Sequence, residues 1–155
     1  MSVVIILLLT SALALLFAIA WFDARYGRVH DGAVLALAAF AIAYRVTDGS
    51  FAIDGALVGL IVFGLLWLPG RGRCLGAGDV GLGIAIGLLC GSVGATAFAI
   101  GGAFILGALV VIIGLLAGRL HRGDRLPFAP LLAVGTAISL MSWTHAAAWL
   151  AVRGW

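Results

Sequence analysis

The sequence predicts an all-α, polytopic membrane bundle of about six transmembrane helices, and three observations carry that prediction. The 155 residues are 65% hydrophobic and 10% charged, against about 25% charged residues in an ordinary soluble domain. The mean hydropathy is +1.27, which leaves too little polar surface to face water. The few charges punctuate long charge-free runs, and 23 glycines are spread among them. The length suits one domain, taken as residues 1–155.

The first run, Met1 to Phe22, contains no charge. It is long enough for one crossing, which needs about 20 residues. A secretory signal would carry a basic segment ahead of its apolar stretch, and none stands here, so the run reads as an uncleaved span. The second run, Gly32 to Tyr44, rises only about 20 Å; it spans if the helix continues past its ends and Arg45 snorkels. The third extends from Gly55 to about Pro69. The charge-free stretch from Val80 to Gly118 would measure about 58 Å as helix, close to two crossings. A turn at Gly91-Ser92-Val93-Gly94 divides it. The first half then reaches across only if its helix starts before Asp79, which puts Asp79 about one turn inside the membrane. The last span runs from about Phe128 to Val152.

Six spans leave five loops. Arg25, Arg28, Arg71, Arg73, Arg119, Arg122 and Arg125 fall in the odd-numbered loops, whereas only Arg45 and Arg153 fall on the other side. Arginine bias of this kind marks the cytoplasmic face. The expectation is a multi-pass protein of the cell (inner) membrane, with the odd-numbered loops cytoplasmic and both termini outside. The net charge of +3 belongs to this loop bias and to anionic lipid, so no nucleic-acid partner is expected. Glycines spaced four apart, at Gly83, Gly87 and Gly91 and at Gly55 and Gly59, suit close helix packing in lipid.

Function is sought among ionisable groups in or beside the spans. Asp23 closes the first span in Trp21-Phe22-Asp23-Ala24-Arg25, and Asp79 opens the fourth in Gly76-Ala77-Gly78-Asp79-Val80. Both lie on the predicted cytoplasmic side at similar depth. Singly, each suits an interfacial charge or a helix-dipole partner. As a close pair in a low-dielectric site they would share a proton. One could then take a proton from water while the other polarises a carbonyl. No Cys-x-x-Cys or His cluster suggests a metal, and no cofactor is expected. Cys74 and Cys90 would stand about 24 Å apart on one helical path, too far for a disulfide. His30, His121 and His145 are scattered and read as interfacial or packed residues.

Three segments resemble the type IV prepilin peptidase family. Gly76-Ala77-Gly78-Asp79 is a G-x-G-D sequence like the family's second catalytic motif, of a type shared with presenilin-like proteases. Asp23-Ala24-Arg25-Tyr26-Gly27-Arg28-Val29 resembles the first motif, an Asp followed by a basic turn. Leu126-Pro127-Phe128-Ala129-Pro130 resembles the Pro-Phe-Gly-Pro segment that opens the family's last helix. The three occur in the family's order and on one predicted membrane side. The chain departs from the pattern at His30-Asp31, where the family usually has Pro-Asn, at Gly81, where it usually has Lys, and at Ala129, where it has Gly.

The resemblance implies an aspartic endopeptidase with Asp23 and Asp79 catalytic and Gly76, Gly78, Arg25, Pro127, Phe128 and Pro130 in support. Its implied partners are the bilayer and a prepilin-like membrane substrate cut at its leader. The sequence contains no cytoplasmic Cys-x-x-Cys region before the core and so resembles the short, peptidase-only members that process Flp-type pilins. The rival reading from the residues alone is a small ion-coupled transporter or inactive scaffold that uses Asp79 as a buried ion site. Nothing in the sequence indicates an oligomeric state.

Overall fold

A computed structural model describes residues 3–70, 76–119, 121 and 126–152, with the side chains of residues 69, 70 and 143–152 not described. The described residues form six α-helices and no strand: α1 (Val3–Tyr26), α2 (Asp31–Asp48), α3 (Asp54–Gly70), α4 (Ala77–Cys90), α5 (Val93–Leu116) and α6 (Ala129–Val152). Each predicted charge-free run contains a helix, and the long run divides where expected. Gly91 adopts φ 70°, a left-handed conformation that suits glycine, and closes α4 by donating its N–H to the Gly87 carbonyl. Ser92 then caps α5 with its side-chain oxygen, 3.2 Å from the Ala95 nitrogen. Two helices, α1 and α5, are long and apolar enough to cross a membrane by length and composition.

The helices close into a ring in the order α1, α2, α4, α3, α5, α6, with α6 returning to α1. Helix α4 also touches α5 and α6, so it reaches furthest into the centre. Glycine determines how closely α3 and α4 approach. A Cβ at Gly55 or Gly59 would collide with the carbonyl of Gly87 or Gly83, and one at Gly87 would collide with the Gly55 carbonyl. The two helices are therefore antiparallel and in backbone contact, as small residues permit in lipid. Helix α2 runs parallel to α4, since Val34 lies at Gly81 and Arg45 lies at Leu89.

The interior is made of small and aliphatic side chains, among them Ala12, Leu16, Leu37, Leu82, Ile86, Leu89, Ala99 and Leu132. The exterior is also apolar. Val4, Leu7 and Phe17 of α1, Leu60, Ile61 and Leu65 of α3, and Ile105, Ile112 and Ile113 of α5 all face outward. Soluble monomers rarely show contiguous apolar surface on this scale, whereas such a surface matches lipid.

At the end away from the two aspartates, Arg45 does more than snorkel. Its Nη2 and Nε donate to the Leu89 carbonyl at 2.6 and 3.1 Å. Its Nη1 reaches Ser50 Oγ at 3.2 Å. The guanidinium thus satisfies a carbonyl in the last turn of α4, where intrahelical donors run out.

Candidate active site

Asp23 lies in the last turn of α1. That turn ends because Gly27 takes φ 62° and returns its N–H to the Asp23 carbonyl at 2.8 Å, an αL cap. The Asp23 side chain is 6% exposed. Burying a carboxylate is costly unless donors compensate. One donor comes from far along the chain: the Ala129 N–H gives a buried hydrogen bond to Asp23 Oδ2 at 3.1 Å. The first turn of α6 supplies that donor because of its composition. Pro130 has no N–H, and the Leu131 and Leu132 N–H groups both return to the Phe128 carbonyl. Within that turn, Ala129 carries the amide available to an outside partner.

Asp79 is held differently. It sits in the first turn of α4, and its Oδ2 accepts the N–H of Gly76, the N-cap residue, at 3.1 Å. The Asp79 N–H returns to the Gly76 carbonyl at 3.1 Å. This is the acidic half of a capping box, made within four consecutive residues. Gly78 has a separate role. A Cβ there would stand 3.1 Å from Val29 Cβ and 3.3 Å from the Val29 carbonyl, so Gly78 lets α4 begin against the α1–α2 turn.

The two aspartates, 56 residues apart in sequence, arrive at one end of the ring: Gly78, next to Asp79, packs against Val29, six residues past Asp23. Both bonds to backbone amides use Oδ2. Among the described residues, Oδ1 of each makes no hydrogen bond, which leaves one oxygen per carboxyl for chemistry. Helix N-termini present amide dipoles to both groups.

The register of neighbouring helices gives the depth of the pair. Gly55 opposes Gly87 and Gly59 opposes Gly83, and one further step brings Phe63 opposite Asp79. Helix α3 continues from there to Gly70, about 10 Å. Gly107 of α5 lies against Leu131 and Phe128, and α5 continues to Leu116, about 13 Å. The pair therefore sits below the ends of α3 and α5. The sequence puts Asp79 about one turn inside the membrane; the structure places it within the first turn of α4, with α3 and α5 extending past it.

The supporting residues divide. Phe128 contacts Phe63 and Phe104, with ring centroids 6.0 and 5.0 Å apart, and Pro127 and Pro130 flank it. Arg25 is exposed beside Asp23. Gly81 packs at Val34, where an added Cβ would stand 3.1 Å from Cγ1, so that position faces α2. Arg71, Arg73, Arg122, Asp124 and Arg125 lie outside the described residues. The sequence names Val29 and Ala129 only within their motifs and does not indicate the Val29–Gly78 contact, the bond from the Ala129 amide to Asp23, or the cluster of Phe63, Phe104 and Phe128. No spacing rule brings them together.

Comparison with known proteins gives one match. A family model for the type IV leader peptidase family matches residues 10–151. No curated protein and no solved structure matches.

Proposed function

The chain belongs to the type IV leader peptidase family, and from that membership we propose that it is an intramembrane aspartic endopeptidase whose catalytic pair is Asp23 and Asp79. The family supports a leader-peptidase-like protease acting on prepilin-like substrates, and its membership together with the two long apolar helices marks a membrane protein. The observation that carries the finer reading is the convergence of two carboxyls at one end of the bundle, each anchored through Oδ2 to a helix N-terminus.

In the proposed reaction one carboxyl is protonated and the other ionised, because two close carboxyls do not both ionise. The carboxylate takes a proton from water as the water oxygen attacks the scissile carbonyl carbon. The carboxylic acid gives its proton to the carbonyl oxygen. Collapse of the tetrahedral species breaks the C–N bond: the leaving amine takes the proton gained by the first carboxyl, and the second carboxylate takes back a proton from a hydroxyl of the tetrahedral carbon, which releases the new carboxyl terminus and restores the one-proton pair.

The substrate proposed is a type IV or Flp-type prepilin cut where its short leader meets its apolar helix. Six helices cross the membrane in this reading, the odd-numbered loops are cytoplasmic, and the pair lies just inside the cytoplasmic interface. The lengths of α3 and α5 beyond the pair support that depth, as does the arginine bias.

The test is co-expression with a candidate prepilin and a gel-shift assay for loss of the leader. Shortening that requires both aspartates is the expected result. An unprocessed panel of type IV and Flp-type prepilins, with the protein folded and inserted, overturns the proposal. For topology, single cysteines at positions 28 and 121, in a background without Cys74 and Cys90, should be labelled only from the cytoplasm.

A further inference from the structure

Resting on the reading that Asp23 and Asp79 perform the cleavage, we propose that Phe128 and the Ala129 amide form a positioning device that fixes the two aspartates relative to each other. Asp23 is buried and its carboxyl bond to the protein comes from Ala129, 106 positions away. Whether that bond exists depends on where α6 begins, and Phe128 determines this. Its carbonyl takes the N–H groups of Leu131 and Leu132 at 3.1 Å each, which makes it the N-cap. Its ring is wedged against Phe104 of α5, centroids 5.0 Å apart, and against Phe63 of α3, centroids 6.0 Å apart.

The same cluster reaches the other aspartate. Phe63 is fully buried and stacks on Phe104 at 6.4 Å. It has room only because Gly83 lacks a side chain, since a Cβ there would collide with the Phe63 ring. Gly83 lies one helical turn beyond Asp79 on α4. An unbroken path therefore runs from Asp23 through the Ala129 amide, Phe128, Phe63 and Gly83 to the helix that carries Asp79. Neither Phe128 nor Ala129 takes part in proton transfer; they act through Asp23. Cores of packed rings and backbone deform little, so this path sets the separation of two groups whose chemistry depends on it.

The experiment removes one amide hydrogen. Ala129 is the first residue of α6, the position where helices best tolerate proline, so Ala129→Pro deletes the donor with least damage to the helix. Purified variants are assayed on a prepilin in lipid, with thermal unfolding recorded in parallel. The expected result is a fall in kcat of about 10²-fold, the scale of a misplaced catalytic group, with KM unchanged. A folded Ala129→Pro protein with wild-type kcat overturns the inference, as does a rise in KM at constant kcat, which would mark a substrate contact instead. Should Ala129→Pro fail to fold, Phe128→Leu and Phe128→Tyr decide: Leu keeps apolar bulk without the ring and should lower kcat, and Tyr should restore it. Equal kcat for the two overturns the role of the ring cluster. Cleavage by the wild-type protein is the reference. Its absence refutes the proposed function, whereas cleavage that is indifferent to Ala129→Pro refutes the positioning device alone.

Discussion

Asp79 and Asp23 stand at the same end of the bundle but are anchored on different scales. Asp79 is held by Gly76, three residues earlier, within the first turn of its own helix. Asp23 is held by Ala129 from another helix. The first anchor forms wherever α4 forms, because its partners are fixed by local geometry. The second exists only when α1, α3, α5 and α6 are packed together. One member of the pair is therefore set by secondary structure and the other by tertiary structure. The site is complete only in the assembled bundle, so under the proposed function a partly assembled chain would carry no active pair.

The largest expected effect tests whether these unequal anchors serve equal partners. Asp23→Asn and Asp79→Asn each keep the shape of the side chain and an amide that can hydrogen-bond, but neither can hold or transfer the proton. Each should lower prepilin cleavage by about 10³-fold or more while the protein stays folded, and the double variant should be no worse than either single one, because residues that act as a unit are not additive. Substantial cleavage by a folded Asp79→Asn protein sinks the aspartic mechanism. Cleavage retained by Asp23→Asn alone means that Asp79 has a different partner. Asp31→Asn, at the exposed start of α2, is the control and should keep most activity. A shared proton also predicts a bell-shaped pH profile belonging to the pair.

The same contrast explains what could be read in advance. The charge-free runs indicate all six helices, and Gly91-Ser92-Val93-Gly94 indicates the turn between α4 and α5, which falls on its first two residues, because both depend on local chemistry. Gly76-Ala77-Gly78-Asp79 was legible for the same reason: its cap closes within four residues. The Pro127–Pro130 segment was visible as a motif, but its contact with Asp23 was not. Ala129 contributes a backbone amide, which no residue type announces. Phe63 and Phe104 are two of eight phenylalanines, and nothing in their spacing singles them out; Phe128 is visible only as part of its motif. Arg45 reads from the sequence as a snorkelling charge; its bond to Leu89 joins two helices whose register only the packed bundle defines.

A smaller effect is expected where α3 meets α4. A Cβ at Gly59 would collide with the Gly83 backbone, and backbone cannot swing aside as a side chain can. Gly59→Ala should cost about 1–3 kcal/mol, the usual scale of overpacking, read as a lower unfolding temperature in detergent. Because α3 carries Phe63, the variant should also disturb the anchor of Asp23 more than the local anchor of Asp79. Wild-type stability would mean that α3 and α4 are less closely packed than described.

The opposite end of α4 offers a third comparison. There the helix is held by Arg45 from α2, through a charge-assisted bond to the Leu89 carbonyl. Arg45→Met removes the donors and keeps much of the apolar stem, so it should destabilise the fold by about 1–2 kcal/mol. Activity per folded molecule should hold, since the site lies at the other end. A loss of kcat without loss of stability would show that the two ends of α4 are linked in a way that packing alone does not provide.

The smallest effect separates the two glycines of the Gly76-Ala77-Gly78-Asp79 segment. They are alike in sequence and unlike in surroundings. At Gly76 the backbone has φ −72° and ψ 154°, ordinary values for any residue. An added Cβ would meet only Asp79 Oδ2 at 3.5 Å and the Gly78 nitrogen at 4.0 Å, both normal contacts. The Gly76 N–H that holds Asp79 survives in alanine. At Gly78 an added Cβ would stand 3.1 Å from Val29 Cβ, 3.3 Å from its carbonyl and 3.4 Å from Cγ1. Val29 lies in the short turn that follows Asp23 and joins α1 to α2, so relief of that crowding moves the turn away from α4. Gly78→Ala should therefore lower cleavage by several-fold, and Gly76→Ala by less, when initial rates are compared at equal amounts of folded protein. The reverse order would place the requirement for glycine at the cap itself, in a contact with substrate or in backbone motion, and would remove Val29 from the architecture of the site.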